Sequence, residues 1–249
     1  WGGNKMGYYV KINNETTKKY EAVDKQAFKN FLSFARGLKY QKLNYIDVDS
    51  CKETYFDTPA HLLTRSGIIL SRFEEGNNVF FKVETASGLS KILNKLDKEV
   101  FVHKVGRTDK LSDHAFYIKD GITSLYSTPF SIDLENIINS SIPYMEVNIN
   151  AQVYELISGT GMRAKIALEN KSAKNFETRR HYGVQSLTIK LDGNAELYGN
   201  DFADFNALLQ KNCKDLLPID ESQYDWAVKV TKPIVIEKKP KEKKKDVKF

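Results

Sequence analysis

Alternating apolar and polar positions predict two β-strands within residues 68–85. In the second strand, one side carries Val79, Phe81 and Val83, and the other side carries Phe80, Lys82 and Glu84. The segment Glu74–Asn78 supplies the glycine and asparagines that a hairpin loop needs for positive φ. The first strand carries Arg72, so we expect Arg72 and Lys82 to lie side by side. An ordinary antiparallel pair with a solvated outer face would show the same alternation.

Charged positions recur in later strands that alternate in the same way. Arg163 and Lys165 share one side of a strand, and Thr188 and Lys190 share one side of another. A small closed barrel fills its interior with side chains, so inward charges would repel one another unless an anion and metal ions lay between them. The pattern therefore favours a barrel that holds a phosphate chain.

Amphipathic helices are predicted between the strands. The first begins after Asp24, which is a favourable N-cap, and a second begins near Asp201. A third begins at Asp220, where Gln223 completes the spacing of a capping box, and a short helix is predicted over residues 133–139. We expect these helices to cover the apolar outer faces of the strands, since a sheet that is polar inside and apolar outside needs such cover.

The net charge of +6 lies mainly in the C-terminal tail. Residues 237–249 hold seven lysines against three acidic residues, and therefore four of the six positive charges. The rest of the chain is nearly balanced, so no specific nucleic-acid recognition is expected from the folded part. The tail lacks apolar periodicity and is predicted to be disordered. It would act either as an electrostatic tether to polyphosphate, nucleic acid or anionic lipid, or as a solubilising end.

A length of 249 residues with 41% hydrophobic positions suits one globular domain. We expect an N-terminal extension and the start of the first strand in residues 1–15, the barrel in residues 16–230, and the basic tail in residues 231–249. Apolar runs are too short to span a membrane, so we expect a soluble domain, either cytoplasmic or attached to a membrane-bound part outside this chain. The two cysteines lack the neighbours of a zinc site or a redox pair.

The segment Tyr55–Pro59, YFDTP, resembles a motif of the CYTH or triphosphate tunnel superfamily, because strands with Arg72 and Lys82 follow it. Further segments resemble, in order, the vacuolar transporter chaperone (VTC) domain of polyphosphate polymerases. These segments are TTKKYEAV (Thr16–Val23), GMRAKIALENKS (Gly161–Ser172), SLTIKLDG (Ser186–Gly193) and SQYDWAV (Ser222–Val228). The resemblance covers residues 16–230.

The resemblance implies an α+β fold with a closed eight-stranded antiparallel β tunnel and helices packed outside. Inward cations would hold polyphosphate or ATP, and carboxylates would hold Mn²⁺ or Mg²⁺. The cations that it implies are Lys19, Arg72, Lys82, Arg163 and Lys190, with Lys165 on the side of Arg163. The carboxylates that could hold the ion are Glu84, Asp97, Glu99, Glu146 and Glu169, with Glu99 and Glu169 favoured.

Several positions depart from the family pattern. Glu15 and Thr17 stand ahead of Lys19, where the family has an arginine and a glutamate. Leu70 stands where the family has a second arginine, Thr188 where it has a metal-binding glutamate, and Gln223 where it has a lysine. One hypothesis is therefore a metal-dependent polyphosphate polymerase that transfers the terminal phosphoryl group of ATP, or a triphosphatase-type enzyme running the hydrolysis. A second is an accessory module that binds polyphosphate or a partner protein without turnover. A third is a structural domain whose inward charges pair among themselves.

Overall fold

The computed structural model describes residues 7–12, 16–39, 41–86, 98–126 and 133–232, without the side chains of residues 10–12, 98 and 99. The strands are β1 (Tyr8–Ile12), β2 (Thr17–Ala22), β3 (Gln41–Asp57), β4 (Ile68–Glu75), β5 (Asn78–Thr85), β6 (Lys98–Val105), β7 (Ile142–Ser158), β8 (Arg163–Asn175), β9 (Arg180–Asp192) and β10 (Leu216–Ile219). The helices are α1 (Ala27–Gly37), α2 (Leu62–Arg65), α3 (Ala115–Tyr126), α4 (Leu134–Asn139), α5 (Ala195–Asn212) and α6 (Gln223–Thr231).

All ten strands form one antiparallel sheet in the order β1-β6-β5-β4-β3-β7-β8-β9-β2-β10. The predicted antiparallel sheet with helices is confirmed. The prediction of a closed eight-stranded tunnel is wrong in strand number and in closure, because the end strands β1 and β10 do not pair with each other within the described ranges. The short strands β1 and β10 form the two edges of the sheet.

The short chain distance between β1 and β2 indicates a curled sheet. β1 pairs with β6 at one end of the order, and β2 pairs with β9 near the other end. Only five Cα steps separate Ile12 from Thr17, so these residues lie at most about 18 Å apart. The two ends of the sheet must therefore approach each other, although within the described part of the chain no strand pairing joins them.

Helices cover one face of the curled sheet, which we call the convex face. Over β8 and β9, α1 and α5 pack Phe31 and Phe205 into a core with Leu187 and other apolar residues. Over β4–β6, α3 and α4 form a second core that includes Leu70 and Phe81. The predicted outer helices are confirmed for these four elements, because alternate strand positions present the apolar side chains that they cover.

Helix α6 lies on the opposite, concave face and departs from the prediction of helices packed only outside. Its Trp226 is buried with Tyr55, Met145 and Val147 of the sheet. The Tyr224 hydroxyl lies 3.0 Å from the hydroxyl of Tyr144, which joins the helix to β7. The C-terminal helix therefore fills part of the concave face with its own apolar core.

Local hydrogen bonds explain where the helices begin. The N-cap of α1 is Gln26 rather than Asp24, although the Asp24 carboxylate accepts the N–H groups of Gln26 and Ala27. Helix α5 begins at Ala195 rather than near Asp201, because Asn194 caps it there. The N-cap of α6 is Ser222 rather than Asp220, since the Ser222 hydroxyl accepts the Asp225 N–H at 3.1 Å.

The division into residues 1–15, 16–230 and 231–249 stays a prediction, because residues 1–6, 13–15 and 233–249 lie outside the described residues. No helix of the described part is long and apolar enough to cross a membrane.

Candidate anion-binding face

Three lysines come together on the concave face. Lys165 of β8 and Lys190 of β9 are directly opposed register partners. Lys19 of β2 lies opposite Thr188, one diagonal step from Lys190. Register partners in an antiparallel pair point to the same side of the sheet. We call Lys19, Lys165 and Lys190 the basic cluster, and their predicted role as phosphate ligands stays a prediction.

In the part of the chain that the structure describes, the basic cluster has no close ion pairs, although Glu155 of β7 is the register partner of Lys165 on the side away from Lys190. All three side chains are exposed, and within the described residues none forms an ion pair with a carboxylate. Like charges directly opposite each other on a sheet are destabilising, so the pair Lys165 and Lys190 costs stability in the absence of an anion. The three strands span about 10 Å, which lets one extended polyanion contact all three ammonium groups.

Arg163 flanks the basic cluster but has acidic neighbours. Its guanidinium lies 3.3 Å from a carboxylate oxygen of Glu155, and Asp192 is its register partner on β9. The Arg163 side chain is 59% exposed, so this ion pair is weak and salt-sensitive. Arg163 can therefore assist an anion at the cluster, with less free charge than the three lysines.

Lys82 lies on the same face but is held by two carboxylates. Its ammonium is 2.7 Å from Glu53 and 3.0 Å from Glu84. Burial by itself lowers the pKa of Lys82, but the two carboxylates outweigh it and leave the pKa above its ordinary value. Lys82 is thus a permanent cation whose charge is already compensated. Its predicted role as a phosphate ligand stays untested.

Glu53 is a buried carboxylate at the centre of this network. It accepts hydrogen bonds from Ser71 at 2.7 Å, Tyr55 at 3.0 Å and Gln223 at 2.6 Å, besides the contact with Lys82. The side chain is 3% exposed. A buried carboxylate is stable only when it is paired and fully hydrogen-bonded, and this network meets both conditions.

Arg72 lies on the convex face, so the expectation that it lies beside Lys82 is wrong. The register partner of Arg72 is Phe81, and Lys82 pairs with Ser71. Arg72 donates to the backbone carbonyls of Asp109, at 3.1 Å, and Arg107. The guanidinium therefore fixes the loop after β6, away from the basic cluster.

Three of the carboxylates named for a metal ion, Glu84, Glu146 and Glu169, are described by the structure and do not assemble into a site. Glu169 lies on the concave face and accepts a hydrogen bond from Ser186 at 2.7 Å, while Glu84 pairs with Lys82. Glu146 lies on the convex face, 2.7 Å from Lys52. Asp97 and the side chain of Glu99 lie outside the described residues. No three His, Cys, Asp or Glu residues of the described part could together hold an ion. Glu84, Glu146 and Glu169 therefore do not fit a protein-held Mn²⁺ or Mg²⁺ among themselves.

Lys171 is a half-buried lysine on the concave face that was not predicted as a site residue. Its ammonium lies 4.0 Å from the centre of the Trp226 ring of α6. Burial lowers the pKa of Lys171 to about 8, although Glu169 acts in the opposite direction. The signal was present in the sequence, because Lys171 continues the alternation of Arg163, Lys165 and Glu169 along β8.

The YFDTP motif has a structural role. Asp57, 1% exposed, accepts the N–H groups of Thr58, Leu63 and Thr64 and the hydroxyl of Thr64. These bonds hold the turn and the start of α2. His61 in the same turn has a positive φ of 54° and contacts Glu177 at 3.0 Å. The motif therefore closes the end of β3 and does not contact the basic cluster.

Three of the departures from the family pattern, Leu70, Thr188 and Gln223, have distinct surroundings. Leu70 is buried in the convex core with Phe81. Thr188 lies on the concave face opposite Lys19. Gln223 donates to Glu53, where a lysine would place a second cation beside Lys82.

No protein-family model and no curated protein matches the chain. A proposed adenylate cyclase from Bacillus halodurans has a TM-score of 0.45 and 12% identity, over 85% of this chain and 95% of that chain. A proposed adenylyl cyclase from Hippeastrum, described as having a dominant triphosphatase activity, has a TM-score of 0.48 and 8% identity, over 89% and 98%. An inorganic triphosphatase has a TM-score of 0.26 and 8% identity, over 74% and 79%. TM-scores below 0.5 are too low for a function to be inferred from these proteins, and the VTC resemblance stays a prediction.

Proposed function

We propose that the concave face binds a phosphate chain, either a triphosphate group such as that of ATP or inorganic polyphosphate. The observation that carries this proposal is the direct opposition of Lys165 and Lys190, with Lys19 one diagonal step away. Three neighbouring ammonium groups form a favourable site for a ligand that carries several negative charges in a row.

A linear polyanion fits this arrangement better than a single small anion. The cluster runs across β2, β9 and β8, and a chain of phosphates can place one oxygen near each ammonium. Lysine suits this role because its flexible point charge follows a ligand that lacks a fixed planar geometry. The resemblance of residues 16–230 to the tunnel superfamily indicates the same class of ligand.

Titration calorimetry with inorganic tripolyphosphate tests the proposal. Replacing one lysine of the cluster, as in Lys190→Ala, removes a charge-assisted contact and should weaken binding about tenfold. Lys18→Ala is the matched control, because Lys18 is also exposed but pairs with Ile189, so that it points to the convex side of β2. Binding should also weaken as salt concentration rises. Equal losses for Lys18→Ala and Lys190→Ala, or no binding by the folded wild type, would contradict the proposal.

Phosphoryl transfer is a separate hypothesis that the same protein can test. Polymerase or triphosphatase chemistry proceeds mainly by positioning and charge neutralisation, and normally uses a divalent ion. Within the described residues no three carboxylates beside the basic cluster could together hold an ion, so such an ion would depend largely on the phosphate oxygens. Incubation with ATP and Mn²⁺, with polymeric and free phosphate resolved on a gel, distinguishes the enzyme from the binding module. Product that disappears in Lys190→Ala supports the enzyme, and tripolyphosphate binding without product supports the binding module.

A further inference from the structure

The first half of β3 has an unpaired edge. On one side, β3 pairs with β7 from Gln41 to Asp57. On its other side, pairing with β4 begins only at Cys51. Within the described residues, Lys42–Ser50 therefore presents a row of backbone groups without a neighbouring strand. Such an edge is a template for another strand.

Large apolar side chains are exposed along this edge. Tyr45 is 57% exposed, Ile46 is 55% exposed and Val48 is 61% exposed. The N–H of Val48 donates to the carboxylate of its neighbour Asp47 at 2.7 Å. This local hydrogen bond satisfies the Val48 N–H when the protein is a monomer. A carbonyl group of an incoming strand can take the place of the carboxylate.

We infer that this edge pairs with the same edge of a second copy of this chain, antiparallel about a twofold axis between Tyr45 and Ile46. The two edges then form a continuous sheet across the dimer. In this register Lys42 faces Asp49 of the second copy, and Leu43 faces its Val48. Opposite charges and apolar pairs that face each other directly are the contacts that stabilise antiparallel strands.

A β-bulge makes this register possible. The pairing of β3 with β7 shifts by one residue between Tyr45 and Asp47. Because of that shift, Lys42, Asn44, Asp47 and Asp49 all pair with alternate positions of β7 and point to one side of the sheet. In a regular strand, even and odd positions point to opposite sides, and Lys42 could not face Asp49 across a twofold axis. The bulge thus aligns the charges for self-pairing.

Self-complementarity favours a second copy over an unrelated partner. A twofold interface requires each contact to occur twice with the roles exchanged, and Lys42 with Asp49 meets this requirement. Charged residues and bulges also protect edge strands from pairing. Here, however, the charges are complementary in sign and register, and the edge exposes three large apolar side chains.

The neighbouring strand limits the extent of the interface. The last residue of β4, Glu75, already occupies the position beside Cys51. Pairing is therefore confined to about the eight residues Lys42–Asp49, and it produces a closed dimer rather than a fibre. The interface does not include the basic cluster, so it is independent of phosphate binding.

Sedimentation equilibrium of the full chain and its charge variants tests the inference. The wild type should show a monomer–dimer equilibrium. Lys42→Asp and Asp49→Lys each turn two attractive pairs into repulsive ones, and should each raise the dimer dissociation constant on the order of tenfold. The double variant restores the opposite charges and should recover the wild-type constant. Lys211→Asp, on the exposed side of α5, is the control and should leave the constant unchanged.

A second variant separates edge pairing from loss of folding. Val48→Pro removes an N–H that donates to Asp47 in a single copy, so the monomer should keep its circular dichroism spectrum while the dimer is lost. A dimer whose dissociation constant is unchanged by charge reversal and by Val48→Pro would overturn the inference. A wild type that stays monomeric at all concentrations would also overturn it. Slow hydrogen exchange of the edge amides in that monomer would then indicate that a segment of the same chain pairs with this edge.

Discussion

The ammonium of Lys82 lies 2.7 Å from Oε1 of Glu53, on the face of the sheet that also carries the basic cluster. This contact compensates both charges inside the curled sheet. Since the Glu53 side chain is 3% exposed, its ionised form depends on Lys82 and on the donors around it. The pair therefore contributes to the stability of the fold, and the anion-binding capacity of the concave face lies mainly with the exposed lysines.

Removing one partner of this pair should destabilise the protein strongly. Lys82→Met leaves the Glu53 carboxylate buried without a cation, and we expect the free energy of unfolding in urea to fall by about 3 kcal/mol. The double variant Glu53→Gln with Lys82→Met removes both charges and should be clearly more stable than Lys82→Met alone. If the two substitutions were additive, the contact between Glu53 and Lys82 would not be a stabilising pair.

Arg72→Ala should affect stability without affecting phosphate binding. The substitution removes two hydrogen bonds to the backbone of the loop after β6, so we expect a loss of about 2 kcal/mol in unfolding free energy. The affinity for tripolyphosphate should stay at the wild-type value, because the side chain lies on the convex face. A loss of affinity as large as that of Lys190→Ala would place Arg72 at the ligand and contradict the register.

Asp57→Ala tests whether the YFDTP motif stabilises the turn after β3 rather than binding the ligand. It leaves three backbone N–H groups and the Thr64 hydroxyl without their acceptor, and we expect a loss of about 3 kcal/mol in thermal or urea unfolding. Asp133→Ala is the matched control, since Asp133 caps α4 through one N–H and should cost about 1 kcal/mol. Tripolyphosphate affinity of folded Asp57→Ala should not change. A stable variant that has lost this affinity would instead make the motif part of the site.

The period-two pattern predicted the positions of β4 and β5 in the sequence, but it did not predict the register between them. The predicted loop Glu74–Asn78 implied that Arg72 and Lys82 share a face. In the structure Glu75 pairs with Asn78 across a two-residue turn, and this shift of one residue moves Arg72 to the other face. A single-residue slip reverses every side chain of a strand, and alternation within one strand cannot detect it.

The position of α6 could not be derived from local pattern either. Its amphipathic spacing predicts a helix with one buried face, but it does not say which face of the sheet receives it. That choice depends on contacts such as Gln223 with Glu53, which are 170 positions apart in the chain. For the same reason, the cation-π contact between Lys171 and Trp226 was not predicted.

Lys171 should give the stability of the protein a distinctive pH dependence. Burial lowers its pKa in the folded protein to about 8, from an ordinary value of 10.5. Below pH 8 the ammonium is charged in the folded and in the unfolded protein, and its burial lowers the stability of the folded protein by the full amount. Between these two pH values the folded protein releases the proton while the unfolded chain keeps it. Stability should therefore rise with pH across this interval, by at most about 3 kcal/mol.

Comparison with Lys171→Met isolates this effect from the other titrating groups. Titration of Cys51 changes the stability in the opposite direction. Burial, and then nearby carboxylates, raise the pKa of Cys51 in the folded protein to about 12. As pH rises, the unfolded chain therefore forms the thiolate first, and stability falls. Subtracting the urea-unfolding profile of Lys171→Met from that of the wild type removes this common contribution. The difference should favour the wild type increasingly from about pH 8 upward. Parallel profiles would mean that Lys171 titrates near its ordinary pKa and that its ammonium is not significantly desolvated against Trp226.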